Sequence, residues 1–334
     1  MRSVAPDALM KATAKAHPIQ GLVKYHGMRD TDLRLPYHDS ISVCTAPSNT
    51  KTTVEFRPDA DGDEYFIDGE AVTGRGAERI EHVLDHVRAL ADREDPVRVE
   101  SENSFASNVG LGSSSSGFAA LAMAAVEAAG LDLTRPEIST IARRGSSSAA
   151  RSVTGGYSDL HAGLNDVDCR SERITETDEL ESEHRIVAAL VPSYKETEAA
   201  HEEAADSHMF DARLAHVHDQ LAEMRDALRE NDAERVFEIA EHDTLSLAAT
   251  TMTGPAGWVY WKPETLAVFD AVRELREEGV PAYFSGDTGA SVYVNTTAEY
   301  VDEVESVVAD CGVETRSWRV GGPARVLDSS EALF

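Results

Sequence analysis

Apolar and polar positions alternate over residues 40–56 (SISVCTAPSNTKTTVEF), a stretch rich in Thr, Val and Ile. A period of two with β-branched residues predicts strands, and APSN predicts the turn between them. Residues 63–72 (DEYFIDGEAV) predict a hairpin that turns at Asp68-Gly69. The period then lengthens. GRGAERIEHVLDHVRALAD carries its apolar residues at helical spacing. VRVESENSF predicts a strand running into GLGSSSSG, and residues 117–129 predict a helix ending at Gly130. In RPEISTIARRGSSS, Pro136 in the first turn and Gly145 as the stop predict a shorter helix.

Residues 185–193 (RIVAALVPS) predict a buried strand. Long helices are predicted over 199–228, 232–248 and 263–279, and closing strands over 281–284, 291–295 and 315–320. Hairpins and helices mixed without βαβ alternation make the fold class α+β. At 334 residues the chain has the length for two packed domains. The boundary is expected near 185–195, giving an N-terminal domain over 1–190 and a C-terminal domain over 191–334.

Composition narrows the function. No apolar run reaches the roughly 18–20 residues of a membrane span; the longest, around Phe118–Val126, is Ala-rich and short. A soluble, cytoplasmic protein without a membrane partner is expected. Asp and Glu number 60 against 31 Lys and Arg, for a net charge of −29. Nucleic acid is excluded as a partner, because its phosphates demand a basic face. The acid is spread through helical segments and accompanies 42% hydrophobic residues, as in a folded protein adapted to a cytoplasm of very high salt, where screening removes most self-repulsion. Only six basic residues are Lys, so a lysine kept inside a motif, such as Lys24, is informative. The cysteines, Cys44, Cys169 and Cys311, are scattered and read as free thiols of a reducing compartment. No HExxH or His/Cys cluster suggests zinc.

Four stretches carry candidate chemistry, each with a plain alternative. GLGSSSSG is neither G-x-G-x-x-G nor a Walker A loop. Its small residues ahead of a helix suit an anion on bare N–H groups, or serve only as a turn and N-cap. VKYHGMRD gathers Lys24, Tyr25, Arg29 and Asp30, as a polar loop also would. In GSSSAARSVTGG, Arg151 with Ser146 and Ser148 suits a bidentate carboxylate or phosphate contact, or helix capping. In FSGDTGASV, Asp287 between glycines is a turn residue or a base.

Together, AHPIQGLVKYHGMRD, SENSFASNVGLGSSSSG, GSSSAARSVTGG and FSGDTGASV occur in order from about residue 16 onward. They resemble the GHMP small-molecule kinase superfamily, and within it the mevalonate diphosphate decarboxylase family. That family shows A-P-x-N-I-A-x-x-K-Y-W-G-K-R-D, S-x-N-N-F-P-T-A-A-G-L-A-S-S-A-A-G, G-S-G-S-A-C-R-S-x-x-G-G and F-D-A-G-P-N. The resemblance implies a two-domain GHMP kinase-like α+β fold with the active site in the cleft between domains, ATP as co-substrate, Mg2+, a phosphorylated mevalonate as substrate, and a homodimer. By position, Asp287 matches the base for the 3-hydroxyl, with one extra residue in the alignment. Lys24 matches the lysine that stabilises the transferring phosphoryl group, and Arg151 the arginine that holds the substrate carboxylate. Tyr25, Ser146, Ser148 and Lys195 match substrate contacts. Asn103, Gly110, Leu111, Gly112, Ser113, Ser114, Ser115, Ser116 and Gly117 match the ATP cradle, with Ser113 or Ser114 as the magnesium ligand.

The departures point further. Met28 stands where the family has a second lysine, and His26 where it has tryptophan. After Lys195 comes ETEAAHEE in place of a serine-rich pattern, with an acidic residue near a second phosphate position, Glu198. Loss of a cation and gain of carboxylates oppose a diphosphate tail. The chain thus resembles the archaeal variant that acts on mevalonate 5-phosphate to make isopentenyl phosphate. The competing readings are the diphosphate decarboxylase, a mevalonate-type kinase without decarboxylation, and an inactive metabolite sensor.

Overall fold

The structure is a computed structural model that describes residues 10–105, 113–192 and 201–334. Two sheets carry it. In the first, among the described residues, six strands run in the order Arg325–Val326, Lys11–Ala16, Thr50–Phe56, Val97–Asn103, Glu64–Ile67 and Glu70–Ala71. The alternation of 40–56 appears as Ser40–Ala46 and Thr50–Phe56, and the hairpin turns at Asp68-Gly69 with φ of 51° and 83°. A positive φ at both turn positions suits Asp-Gly.

Four helices cover this sheet: α1 (Arg75–Ala91), α2 (Ser113–Ala128), α3 (Arg135–Gly145) and α4 (Ala149–Thr154). Helix α2 is buried on nearly every side and forms the centre of this core with Val54, Val99, Val83 and Ile141. An Ala-rich sequence permits that close approach, and a helix apolar all round must sit inside. α2 already runs at Ser113, four residues before the expected start at 117. Its first turn tolerates serine because the first N–H groups lack helical partners, and short hydroxyls reach other polar groups there. Helix α3 is entered through a capping box, Glu137 Oε2 accepting from Thr134 N and Oγ1, both at 2.8 Å.

The second sheet, of eight strands among the described residues, runs Ser171–Arg173, Tyr157–Leu160, Ser40–Ala46, Glu314–Val320, His184–Leu190, Val292–Thr297 and Tyr283–Ser285, with Ile19–Val23 also paired to Ser40–Ala46. Arg319 pairs with Ala46 and Val320 with Thr45, so the sheet is continuous across residue 190. Helix α5 (Asp178–Glu183) leads into His184–Leu190. On one face of that strand Ile186 and Ala188 pack with α6 (Phe210–Glu230) and α7 (Ala233–Met252). On the other, Val187 and Ala189 pack with α8 (Pro263–Glu277) and α9 (Val301–Asp310). Burial on both faces explains the unbroken apolar run IVAAL.

The helix expected over 199–228 is interrupted: 199–200 lie outside the described residues, 201–202 are helical, and a 3-10 turn at Ala204–Asp206 separates them from α6, which starts at Phe210. Ser207 Oγ accepts from Met209 N (3.2 Å) and meets Thr253 Oγ1 (2.7 Å), a local bond that competes with helix. Helix α9 and the strands Lys11–Ala16, Ile19–Val23 and Tyr157–Leu160 fall where no element was expected. Among the described residues, no helix is long and apolar enough to cross a membrane.

Candidate active site

Strand Ile19–Val23 delivers Lys24 into a buried ionic cluster made by two helices. Asp243 of α7 accepts from the Lys24 backbone N (2.9 Å) and lies 3.4 Å from Nζ through the same oxygen, Oδ2. Its Oδ1 accepts from Arg213 of α6 at 2.9 Å, and Arg213 also donates to the Lys24 carbonyl at 2.6 Å. Lys24, Arg213 and Asp243 are all buried. Burial pushes the Lys24 ammonium below its ordinary pKa, while Asp243 and Asp287 pull it back up. Burial raises the Asp243 carboxyl, but Arg213 and Lys24 outweigh it and hold it below the usual carboxylate range. Nζ also donates to Thr244 Oγ1 at 3.1 Å.

Asp287 follows strand Tyr283–Ser285 and reaches the same point. A Cβ built on Gly21 would stand 2.6 Å from Lys24 Cγ and 3.0 Å from Asp287 Oδ1. Only glycine at 21 therefore lets both side chains close over the strand. Asp287 also lines a small pouch of mixed polarity with Thr244, Leu247, Thr251, Tyr260 and Trp261.

Arg151, on α4, is buried at 3% exposure beside this pair. It donates to Ser40 Oγ at 2.6 Å, and its Nε has no hydrogen-bond partner among the described residues. Its guanidinium lies 5.5 Å from the Tyr25 ring centroid, and that ring stacks on His201 at 4.8 Å. Burial lowers the Arg151 pKa, opposed by Tyr25, Asp287 and Asp159. Burial likewise raises the Tyr25 hydroxyl, against the pull of Arg151 and a bond from Ser147. An orphaned, buried guanidinium nitrogen is a ready donor for a bound carboxylate. Ser146 and Ser148 lie at the start of α4 with their hydroxyls 2.9 Å apart. Met28 sits on strand Met28–Asp30 opposite Pro36, and His26 is buried.

The serines divide. Ser115 Oγ accepts from Ile19 N (3.3 Å), and Ser116 Oγ meets Thr50 Oγ1 (2.7 Å), both well buried. Thr50 in turn donates to Asn103 Oδ1 at 2.7 Å, while Asn103 donates from N and Nδ2 to Asp68. Ser114 is exposed, Ser113 and Gly117 partly so, at the N-terminal turn of a long helix, where hydroxyls and the dipole favour phosphate and its metal. Gly110, Leu111, Gly112, Lys195 and Glu198 lie outside the described residues. Asp39, Asp159 and His161 also bring ligand atoms within 4.8 Å of one another. Arg225 already occupies that place, donating to Asp159 Oδ2 at 2.6 Å and to Asp39 Oδ2 at 2.8 Å.

Of the residues singled out in the sequence, the fold brings Lys24, Arg151 and Asp287 together. Not singled out were Arg213, Asp243, Thr244 and Ser40. A signal for two of these was present. The buried stripe of α7 runs Val236, Phe237, Ala240, Asp243, Thr244, Leu247, Ala248, and a polar pair interrupts it.

Residues 16–171 match the diphosphomevalonate decarboxylase-like N-terminal domain. The chain is 74% identical to the phosphomevalonate decarboxylase of Haloferax volcanii, over 97% of this chain and 100% of that protein. Mevalonate diphosphate decarboxylase from Staphylococcus aureus superposes with a TM-score of 0.91 at 27% identity, covering 96% of this chain and 98% of that one. The complex of MDDEF with MVAPP, AMPPCP and magnesium superposes with a TM-score of 0.90 at 28% identity, covering 96% and 99%.

Proposed function

The chain belongs to the diphosphomevalonate decarboxylase-like family, and on that premise we propose that it decarboxylates mevalonate 5-phosphate at the expense of ATP, yielding isopentenyl phosphate, ADP, phosphate and CO2. The observation that carries the reading is the meeting of Lys24 and Asp287 over Gly21, beside a buried Arg151 with an unpaired nitrogen. Asp287 takes the proton of the 3-hydroxyl as its oxygen attacks the γ-phosphorus and ADP leaves. The Lys24 ammonium stabilises the charge on that oxygen and on the transferring phosphoryl group. Arg151 holds the substrate carboxylate. When the tertiary C–O bond breaks and phosphate leaves, the electron pair of the C–carboxylate bond forms the alkene, and CO2 departs.

AMPPCP, an ATP analogue, and magnesium accompany the structural relative MDDEF, which supports ATP and Mg2+ here. The first turn of α2 fits them: Ser113 or Ser114 would hold the metal, and the helix N-terminus would favour the phosphate charge. Bound Mg2+ supplies neutralisation of the ATP phosphate charge. By the family resemblance Gly110–Gly112 and Lys195, outside the described residues, would belong to the cradle and the substrate contacts respectively; Ser115, Ser116, Gly117 and Asn103 support the cradle, and Tyr25, Ser146 and Ser148 contact substrate. The division at 190 is one of labour: residues 1–190 carry the cradle, Lys24 and Arg151, and residues 191–334 carry Asp287. Met28 in place of the family's second lysine supports the monophosphate as substrate. The acidic surface supports work in a salt-rich cytoplasm.

ATP-dependent CO2 release, measured in molar salt with mevalonate, mevalonate 5-phosphate and mevalonate 5-diphosphate, tests the reading. CO2 from the monophosphate alone is expected. Turnover confined to the diphosphate, or ADP without CO2, overturns it. Asp287→Asn is expected to lower kcat by about 10²–10⁴-fold while ATP still binds.

A further inference from the structure

Asp243 and Thr244 are neighbours on α7; both hold Lys24, and Thr244 also holds the turn that carries Asp287. The Asp243 carboxylate holds Lys24 twice through one oxygen, at N (2.9 Å) and at Nζ (3.4 Å), and is braced by Arg213 on the other. Thr244 Oγ1 accepts from Lys24 Nζ (3.1 Å) and from Gly286 N (3.1 Å), and donates to Ala240 O (2.9 Å). A hydroxyl has one proton and two lone pairs. Both lone pairs are committed, and the proton has Ala240 O as its near acceptor and Ser285 Oγ at 3.4 Å as a second, so the hydroxyl is held from four sides. Gly286 precedes Asp287. The same helical turn therefore touches Lys24 on one side and the backbone of the Asp287 turn on the other.

We propose that Asp243–Thr244 is the positioning pair of this active site, one residue fixing the charged lysine and the next fixing its distance from the Asp287 turn. The inference rests on the reading of Lys24 and Asp287 as the groups that act on substrate. It assigns a task to Asp243 that Asp287 cannot perform. Lys24 is faced by Asp243 from α7, by Asp287 from the turn after Tyr283–Ser285, and by Arg213 from α6. When Asp287 takes the hydroxyl proton it becomes neutral. Asp243 is then the carboxylate left to keep a buried ammonium charged, at the moment when that charge stabilises the phosphoryl group.

The test compares Asp243→Asn, Thr244→Val, Thr244→Ser and Lys24→Met as full-length proteins in molar salt, each with a thermal melt. Asp243→Asn is expected to lower kcat by about 100-fold, as for a misplaced reacting group, with KM for ATP little changed. Removing a negative charge beside an ammonium lowers its pKa. The alkaline limb of kcat therefore moves to lower pH, by about 1–3 units for a partner at this distance. A loss of rate without that movement overturns the charge role. Thr244→Val is expected to lose about 10–100-fold in kcat with the limb unmoved, and Thr244→Ser to recover most of it. Equal rates in Thr244→Val and the parent, or equal losses in Val and Ser variants, overturn the proposal, and this pair decides if Asp243→Asn fails to fold. Retained turnover in Lys24→Met defeats the underlying reading. An inactive Lys24→Met beside fully active Asp243→Asn and Thr244→Val defeats this inference alone.

Discussion

The first turn of α2 and the cluster around Lys24 are built on opposite plans. The α2 turn presents neutral hydroxyls and backbone N–H groups, with no ionised side chain from Ser113 to Ala128 before Glu127. The Lys24 cluster places Lys24, Arg213 of α6 and Asp243 of α7 out of water. The difference follows the task. ATP brings its own charge, so the cradle proposed for it needs dipoles that cost little to hold ready. A hydroxyl that must be deprotonated and phosphorylated needs fixed charge, and such charge is tolerable in the interior only if each ion is paired and hydrogen-bonded.

Arg213→Met presses the comparison hardest. It leaves Asp243 with one cation and the Lys24 carbonyl without its donor. A loss of about 3–5 kcal/mol in unfolding free energy is expected, as for a broken buried pair, read from denaturant melts at constant salt. A loss below 1 kcal/mol would mean that the cluster is not fully desolvated.

The contrast also has a pH form. His184 is buried between Tyr157 OH (2.7 Å) and Asn295 Oδ1 (2.9 Å), and burial lowers its pKa to about 4. Burial and Arg213 take His38 to about 4 as well. In the unfolded chain both groups titrate near 6.5, so below that pH the unfolded state binds more protons. Stability is complete above pH 6.5 and falls as pH drops toward 4, by about 1.4 kcal/mol per pH unit for each histidine. Denaturant melts from pH 8 to 4.5 check this, and His184→Gln is expected to flatten the slope.

The smallest effects separate the serines. Ser116→Ala removes one of two hydrogen bonds at the Thr50 hydroxyl, which keeps Asn103, and is expected to cost about 0.5–1.5 kcal/mol. Ser114→Ala, at an exposed position, is expected to shift stability by less than about 0.5 kcal/mol, while raising KM for ATP. Equal melting temperatures for the two variants would erase the distinction between supporting and contacting hydroxyls.

The same contrast decides what could be read in the chain. The proposed ATP cradle is contiguous in the sequence: the segments VRVESENSF, GLGSSSSG and FAALAMAAV follow one another, so one window contains it. The reach of helix α2 back to Ser113 was missed because serine scores poorly as a helix former, whereas a first turn rewards it. The ionic cluster is assembled from positions near 24, 213, 243 and 287, and no local window holds a pair of them. Lys24, Arg151 and Asp287 were legible only through the motifs around them. Asp243 had no such motif, and its sign, a polar pair in an apolar stripe, acquires meaning once α7 lies against Lys24. The strand Ile19–Val23 escaped for a related reason: all five residues are buried, Gln20 and Gly21 included, so no alternation marks it.

The pairing of Thr45 and Ala46 with Val320 and Arg319 has a mechanical consequence. A sheet stitched through both halves resists hinge bending about residue 190, so neither half can swing as a free lobe. A chain severed there would also leave unsatisfied strand edges on each fragment, in Ser40–Ala46 on one and Glu314–Val320 on the other. The fragments are therefore expected to be insoluble when produced singly and to recover turnover only when produced together, as split reporters do.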